Sequence, residues 1–293
     1  MSSTPPTMIG LTLPDVDVWS ERVTVALGQN PGVFTGPGTN TYLVGTGRRR
    51  LLIDPGEGRE TYLPVLEQGM EAAGCEGIEA IVLTHGHPDH IGGVRSVMEH
   101  LGRVPVWKYA YPPFDEGYED LELRDLAHDG KVETEGATLR ALHTPGHAPD
   151  HLCFLLEEEG SLFSGDNVLG VGTTVIPATS GSLAQYMDSL ERLLEAEPGA
   201  IYPAHGPMIE DGPGKIREYI AHRNEREEQI LVELAKGPRP PIDMVRVIYA
   251  AYPENLHGAA CQSVSQHLMK LEREGRVLRS GDENPVAAHW RLA

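Results

Sequence analysis

Cysteine, positive charge and long apolar runs are all scarce in this 293-residue chain, and each shortage closes off a class of protein. The three cysteines, Cys75, Cys153 and Cys261, are widely spaced and form no Cys-x-x-Cys pair. An odd, scattered set builds no disulfide framework, so a reducing compartment is expected. No apolar stretch approaches the roughly 18 residues that span a bilayer, so no membrane partner is expected. The first twenty residues contain Asp15 and Asp17 but no lysine or arginine. That fits neither a secretory signal nor an arginine-rich transit peptide, and the expected location is cytoplasmic.

Basic residues number 24 against 43 acidic ones, a formal net charge of −19. The imbalance lies in one part of the chain. Residues 1–214 carry 12 Lys+Arg and 32 Asp+Glu, a balance of −20, whereas residues 215–293 carry 12 and 11, a balance of +1. An acidic surface repels a polyanion at long range, and most non-specific nucleic-acid affinity is electrostatic, so tight RNA binding is disfavoured. Local cleavage is not excluded, because divalent metals offset much of the charge of their own ligands. The same acidic balance keeps a protein in solution.

The most informative stretch is Thr84-His85-Gly86-His87-Pro88-Asp89-His90. A lone histidine is usually a surface or hydrogen-bonded core residue. Four metal-capable side chains within six residues are a different matter, expected by chance in roughly one such sequence in a thousand. Imidazole and carboxylate are the ligands that zinc and its neighbours prefer. The preceding Ile78–Leu83 run reads as a buried strand, and Val94, Val97, Met98 and Leu101 after it have helical spacing. The cluster therefore sits on a strand-to-helix turn, where a rigid scaffold usually carries its chemistry. Three later apolar runs end in turns marked by Gly or Pro, at His147, Asp166 and His205. The full set is seven side chains, enough for two metals with positions left for water.

These residues resemble the metallo-β-lactamase superfamily: Thr84 to His90, then Thr144-Pro145-Gly146-His147, Ser164-Gly165-Asp166 and an isolated His205-Gly206. The resemblance implies a four-layer αββα sandwich of class α+β. It also implies that His85, His87 and His147 hold one metal, that Asp89, His90 and His205 hold a second, and that Asp166 bridges them. A bridging carboxylate resembles the thioester- and phosphodiester-cleaving branches rather than the antibiotic-resistance enzymes. Segments at Gly28–Gly32, Gly38–Tyr42, Lys131–Gly136, His222–Glu227 and Tyr252–Leu256 are similar to the animal β-lactamase-like protein 2 group. That group implies a single-strand-preferring endoribonuclease, and its fungal relatives imply thioesterases acting on acyl carrier proteins. Thr179 to Ser182 resembles a small insertion near the site.

The chain divides into 1–214, the catalytic part, and 215–293, a helical linker and a winged-helix-like domain. In the first part, hairpins are predicted around Gly45-Thr46-Gly47 and between His151–Glu157 and Ser161–Phe163. In the second, a long helix runs from about Ile216 until Gly237-Pro238 stops it. Two helices follow, then strands at Arg276–Leu278 and Ala288–Leu292. A winged helix raises the rival reading of a metal-sensing DNA regulator. The predicted recognition helix, about Ala259 to Glu274, offers only Lys270 and Arg273 beside Glu272 and Glu274, so no sequence-specific DNA partner is expected.

Other residues have two readings. Asp54 ends a strand and could hydrogen-bond a ligand histidine or be a plain turn carboxylate. His151 could touch the ligands or substrate, and more simply is a structural histidine of the hairpin. Asn40, Thr41 and Thr173 line the pocket by resemblance only. Arg48-Arg49-Arg50 reads as a solvated run beside a turn. The expected mechanism is metal-dependent hydrolysis. Two zinc ions about 3.5–4 Å apart, manganese or iron being alternatives, share a hydroxide that attacks substrate, while Asp89 accepts a proton. Single-stranded RNA is the first expected substrate and a small acyl thioester the second.

Overall fold

The computed structural model describes Met8 and residues 10–293. Part of the opening segment read above for targeting signals lies outside the described residues. Seven strands form the first sheet in the order β1 (Val16–Val18), β2 (Val23–Leu27), β3 (Asn40–Val44), β4 (Arg49–Ile53), β5 (Gly77–Val82), β6 (Val106–Lys108) and β7 (Leu123–Asp125). Pairing is antiparallel from β1 to β4 and parallel from β4 to β7. The second sheet contains β8 (Lys131–Thr134), β9 (Ala137–His143), β10 (Leu152–Leu156), β11 (Ser161–Gly165) and β12 (Ile201–Pro203), in the order β12-β11-β10-β9-β8. Both predicted hairpins form, with Tyr42 opposite Ile53 and Phe154 opposite Phe163.

Strands β2 and β3 are buried along their whole length, as a sheet covered on both faces requires. Because side chains alternate across a strand, each strand feeds two cores. Val23, Val25, Tyr42, Val44, Leu51 and Ile53 point inward and meet Leu139, Ala141, Leu152, Phe154 and Phe163 of the second sheet. Ala26, Leu43, Leu52 and Ile81 point outward beneath α1 (Tyr62–Ala73) and the helix α3 that follows the histidine motif. That motif supplies the one-turn helix α2 (Pro88–Ile91), and α3 spans Val94–Leu101. A further turn, α4, spans Pro112–Asp115. On the far face, Leu142, Cys153, Leu162 and Ile201 pack against α5 (Leu183–Glu195) and α6 (Gly212–Leu234). The result is the four-layer αββα arrangement.

The C-terminal region contains α7 (Pro241–Ile248), α8 (His257–Arg273) and the hairpin of β13 (Val277–Ser280) with β14 (His289–Leu292). Its own core gathers Met244, Val264, Leu268, Leu271, Val277 and Trp290. Helix α6 joins the two cores, with Ile216 and Tyr219 in the sandwich and Ile230 and Leu234 in the C-terminal cluster. All three cysteines are free and buried. Among the described residues no helix is long and apolar enough to cross a membrane. The arginine run departs from expectation. Arg48 is exposed and pairs with Glu76, but Arg50 is buried in β4 and donates to the Ala73 carbonyl at the end of α1.

Candidate metal centre

Five strands end at one edge of the sandwich, and each ending carries a side chain of the cluster or of its support. Strand β4 ends at Asp54, β5 leads into His85 to His90, β9 into His147, β11 into Asp166 and β12 into His205. Pro88 opens α2 behind His87, and that single turn places Asp89 and His90 beside each other. Gly165 has φ +50°, and a Cβ there would lie 2.6 Å from His151 Nε2, so only glycine lets the chain turn into Asp166.

The structure brings all seven predicted side chains together. Three sets have donor atoms within 4.8 Å of one another: His85, His87 and His147; Asp89, His90 and His205; and His85, His90 and Asp166, which joins the other two. In the first set, His87 Nδ1 lies 2.8 Å from His85 Nε2 and 3.1 Å from His147 Nε2. In the second, Asp89 Oδ2 is 3.3 Å from His205 Nε2 and 3.5 Å from His90 Nε2. Asp166 faces both, with Oδ2 3.4 Å from His147 and Oδ1 3.2 Å from His205 and 3.5 Å from His90.

The other ring nitrogen is occupied in four of the five histidines. His90 Nδ1 meets Asp54 at 2.8 Å, His147 Nδ1 donates to the Val175 carbonyl at 2.9 Å, and His85 Nδ1 lies 3.0 Å from Thr84 Oγ1. His205 Nδ1 reaches the Gly38 carbonyl at 3.5 Å, and His87 is the exception, turning Nδ1 inward. Such outer hydrogen bonds fix the tautomer and aim the free lone pair at one point.

A divalent cation fits this arrangement. Nitrogens packed so closely cannot all donate to each other, and His90 Nε2 and Asp166 Oδ1 are buried without a hydrogen-bond partner. Buried polar atoms are rarely left so. Electrostatics divide the cluster. Burial, then neighbouring imidazoles, hold His85 well below its usual range and His87 at about 4, so that side offers neutral nitrogen donors. For His90 and His205 burial opposes protonation, but Asp89 and Asp166 outweigh it, with Asp54 adding to the effect at His90, and raise them to about 9 and about 10. Burial likewise opposes ionisation of Asp89, yet His90 and His205 hold it at about 2.

Asp54 reaches the cluster. It accepts from the Thr84 backbone N–H and from Thr84 Oγ1 as well as meeting His90. His151 is fully buried, and its Nε2 accepts the backbone N–H of Asp166 at 3.1 Å. Thr173 lines the cleft above the cluster. Asn40 and Thr41 are not among the residues that line the cleft. The Asn40 amide donates to the Pro203 and Gly206 carbonyls on either side of His205, and Thr41 Oγ1 donates to the Ala26 carbonyl within the sheet. Both lie in β3, where backbone carbonyls of neighbouring segments capture their polar groups.

Three supports escaped the sequence reading. Asp150 accepts the Gly86 N–H at 2.8 Å and meets the buried Lys108 at 2.7 Å. Thr39 Oγ1 donates to the Asp89 carbonyl. Asp150 stands beside His151 in the sequence, but nothing there couples it to Lys108, 42 positions earlier.

The cluster borders a cleft of about 690 Å³. His87, Asp89, His147 and Asp166 are among its lining residues. Val33, Phe34, Leu169, Val171, Tyr249, Tyr252 and Leu256 line the walls, with Lys215 the only lysine or arginine among the lining residues.

Residues 34–205 match the family described as the Metallo-beta-lactamase superfamily, and residues 241–290 match the Beta-lactamase associated winged helix domain. The chain is 42% identical to the Beta-lactamase-like protein 2 homolog of Drosophila melanogaster over 92% of its own length and 95% of that protein's. It is 38% identical to the Atrochrysone carboxyl ACP thioesterase of Passalora fulva, covering 90% of this chain and 80% of that one. A Beta-lactamase domain protein from Burkholderia ambifaria has the same fold, with a TM-score of 0.80 at 23% identity over 97% of this chain and 96% of that one. The chain is a metallo-β-lactamase superfamily hydrolase that carries a β-lactamase-associated winged helix domain.

Proposed function

We propose that this protein is a binuclear metal-dependent hydrolase of acyl thioesters with an extended apolar acyl part. Residues 1–214 form its catalytic part, and residues 215–293 form the linker and the domain that walls the cleft. The observation that carries the substrate choice is the cleft lining. The cleft that the cluster borders is largely apolar, and the one lysine among its lining residues, Lys215, is paired with Glu218 at 2.9 Å. A polynucleotide needs cations along its path, and an acyl chain needs only apolar surface. This reverses the order expected from resemblance.

His85, His87 and His147 would hold one cation and Asp89, His90 and His205 the other, with Asp166 shared. The donor set suits zinc, and also manganese or iron. Divalent cations held there would supply Lewis acidity towards the reacting carbonyl and lower the pKa of the water they bind. The Asp89 side chain is 26% exposed and faces the cleft, so its ionised carboxylate can take a proton from the attacking water. The apolar walls exclude competing water and keep the acyl group in line. A thiol with a pKa of about 8.5 departs as thiolate with little help. This suits a cleft whose only other histidine, His222, burial and then Arg223 hold at about 4, too low to act as an acid near neutrality.

Single-stranded RNA remains the second reading, because Phe34, Tyr249 and Tyr252 offer ring faces on which bases stack. Metal-loaded protein should cleave acyl thioesters with a kcat/KM that rises with chain length, while labelled RNA stays intact. Asp166→Ala should lower the metal content from near two per chain and abolish turnover while leaving the far-ultraviolet spectrum unchanged. RNA cut at a rate comparable to the thioester, and lost in Asp166→Ala, would reinstate the nuclease.

A further inference from the structure

The segment 166–182 between β11 and α5 carries Asp166 and the carbonyl that orients His147, yet it contains neither helix nor strand. Beside its bonds to the sheet ends, such as Gly170 N–H to the His205 carbonyl, it is gripped by helices α6 and α8. Tyr219 of α6 accepts the Leu169 N–H at 2.8 Å and donates to the Gly172 carbonyl at 2.9 Å. Gln266 of α8 donates to the Pro177 and Gly181 carbonyls at 2.7 and 2.9 Å. Between these two grips lies Arg223, whose Nη2 donates to the Thr174 carbonyl at 2.6 Å.

Arg223 is 3% exposed and has no carboxylate within ion-pairing distance among the described residues. An apolar side chain would fill that space at a lower desolvation cost, so the guanidinium contributes through where it holds the chain. Two routes lead from it to the cluster. Thr174 Oγ1 lies 3.2 Å from His147 Nδ1, and the next carbonyl, that of Val175, accepts from the same nitrogen. The guanidinium also sits 5.2 Å from the centre of the Tyr186 ring, whose hydroxyl donates to the Asn167 carbonyl at 2.6 Å, next to Asp166.

We infer that Arg223 is a positioning residue for His147 and Asp166, acting through the Thr174 carbonyl and the Tyr186 ring. This gives a role to the His222–Glu227 segment, which the cluster itself leaves unused. Three residues further along α6, Arg226 sits 4.2 Å over the Tyr249 ring and reaches the Ile248 carbonyl. One face of α6 therefore holds the loop of the metal centre and the winged helix together. The inference rests on the metal-site reading above.

The test compares Arg223→Gln, Arg223→Lys and Tyr186→Phe with Arg226→Gln as a control for packing alone. Zinc affinity is measured by chelator competition, the electronic spectrum in the cobalt-loaded protein, and the melting temperature in the metal-free protein. Arg223→Gln should weaken zinc binding about 10–100-fold, the usual effect of removing an outer support, and should alter the cobalt bands. Arg223→Lys should recover part of both, because an ammonium still reaches the Thr174 carbonyl. Arg226→Gln should lower the melting temperature and leave the cobalt bands unchanged. If Arg223→Gln does not fold, altered bands in Arg223→Lys and Tyr186→Phe support the inference. Wild-type affinity and bands in every Arg223 and Tyr186 variant that folds would overturn it. Wild-type protein that takes up no metal would instead overturn the metal-site reading.

Discussion

Asp54 has a left-handed backbone, φ 51°, and uses both carboxylate oxygens, one on the Thr84 N–H and one on Thr84 Oγ1 and His90 Nδ1. Few non-glycine residues hold such a conformation, and aspartate, whose short side chain bonds to nearby backbone, is one of them. Here β4 and β5 run parallel, and Asp54 ties their ends together beneath the cluster. Asp54→Asn keeps the shape but places an amide against groups that need an acceptor. The expected outcome is a loss of about 10–100-fold in metal affinity, with about 1–3 kcal/mol of stability lost from the unmatched buried amide. Chelator competition and urea unfolding measure the two separately. The seven clustered side chains were legible because four lie within six residues and the others end apolar runs at turns. The place of Asn40 beside His205 was not legible, because a buried amide pairs with whichever carbonyls the fold brings to it, and Pro203 and Gly206 lie more than 160 positions away.

The elements that shape the cleft come from both ends of the chain. The connection between β2 and β3 presents Val33 and Phe34, 45% and 58% exposed, opposite the turn after α7 that carries Tyr252 and Leu256. Exposed apolar side chains at the rim of a cleft usually mark a contact with ligand. Phe34→Ala should therefore raise KM for a long acyl thioester several-fold and leave kcat nearly unchanged, with little effect on a short acyl substrate. Parallel falls in kcat for both substrates would show that Phe34 acts on the reaction rather than on the chain it is expected to hold. The hairpins, the long helix and the C-terminal strands were legible from turn residues and periodicity. The loop 166–182 was not, because it is held by hydrogen bonds to residues scattered along the chain, from Thr144 and His151 to Tyr219, Arg223 and Gln266.

Across the whole molecule, acid acts on buried neutral histidines, and one of them lies where α6 meets α8. His267 is buried there with Nδ1 3.8 Å from a Glu227 carboxylate oxygen and no closer partner for either ring nitrogen, and burial, despite Glu227, holds it at about 4. Its pKa is thus lower folded than unfolded, so the unfolded chain binds the extra proton between about pH 6.5 and 4. Stability falls as pH drops through that window, by up to about 3 kcal/mol from this residue. Glu227, held at about 2 by His267 and Lys270, loses its contribution only at lower pH. Urea unfolding of metal-free protein at pH 7.5 and 4.5 should show the loss, and His267→Leu should reduce it. An equal loss in the variant would place the acid sensitivity elsewhere. Helix α6 has a further consequence. It is one unbroken rod of 23 residues, about 35 Å long, rooted in the sandwich at one end and in the winged helix at the other. Inserting one residue between Arg223 and Ile230 would turn everything beyond it by about 100°, swinging Tyr249 and Tyr252 away from the cluster. A whole turn, near four residues, would instead move that wall outward by about 5.4 Å with its face preserved. The depth of the cleft is therefore adjustable only in steps, like a ratchet, and the sizes of substrate open to this architecture come in increments of one helical turn.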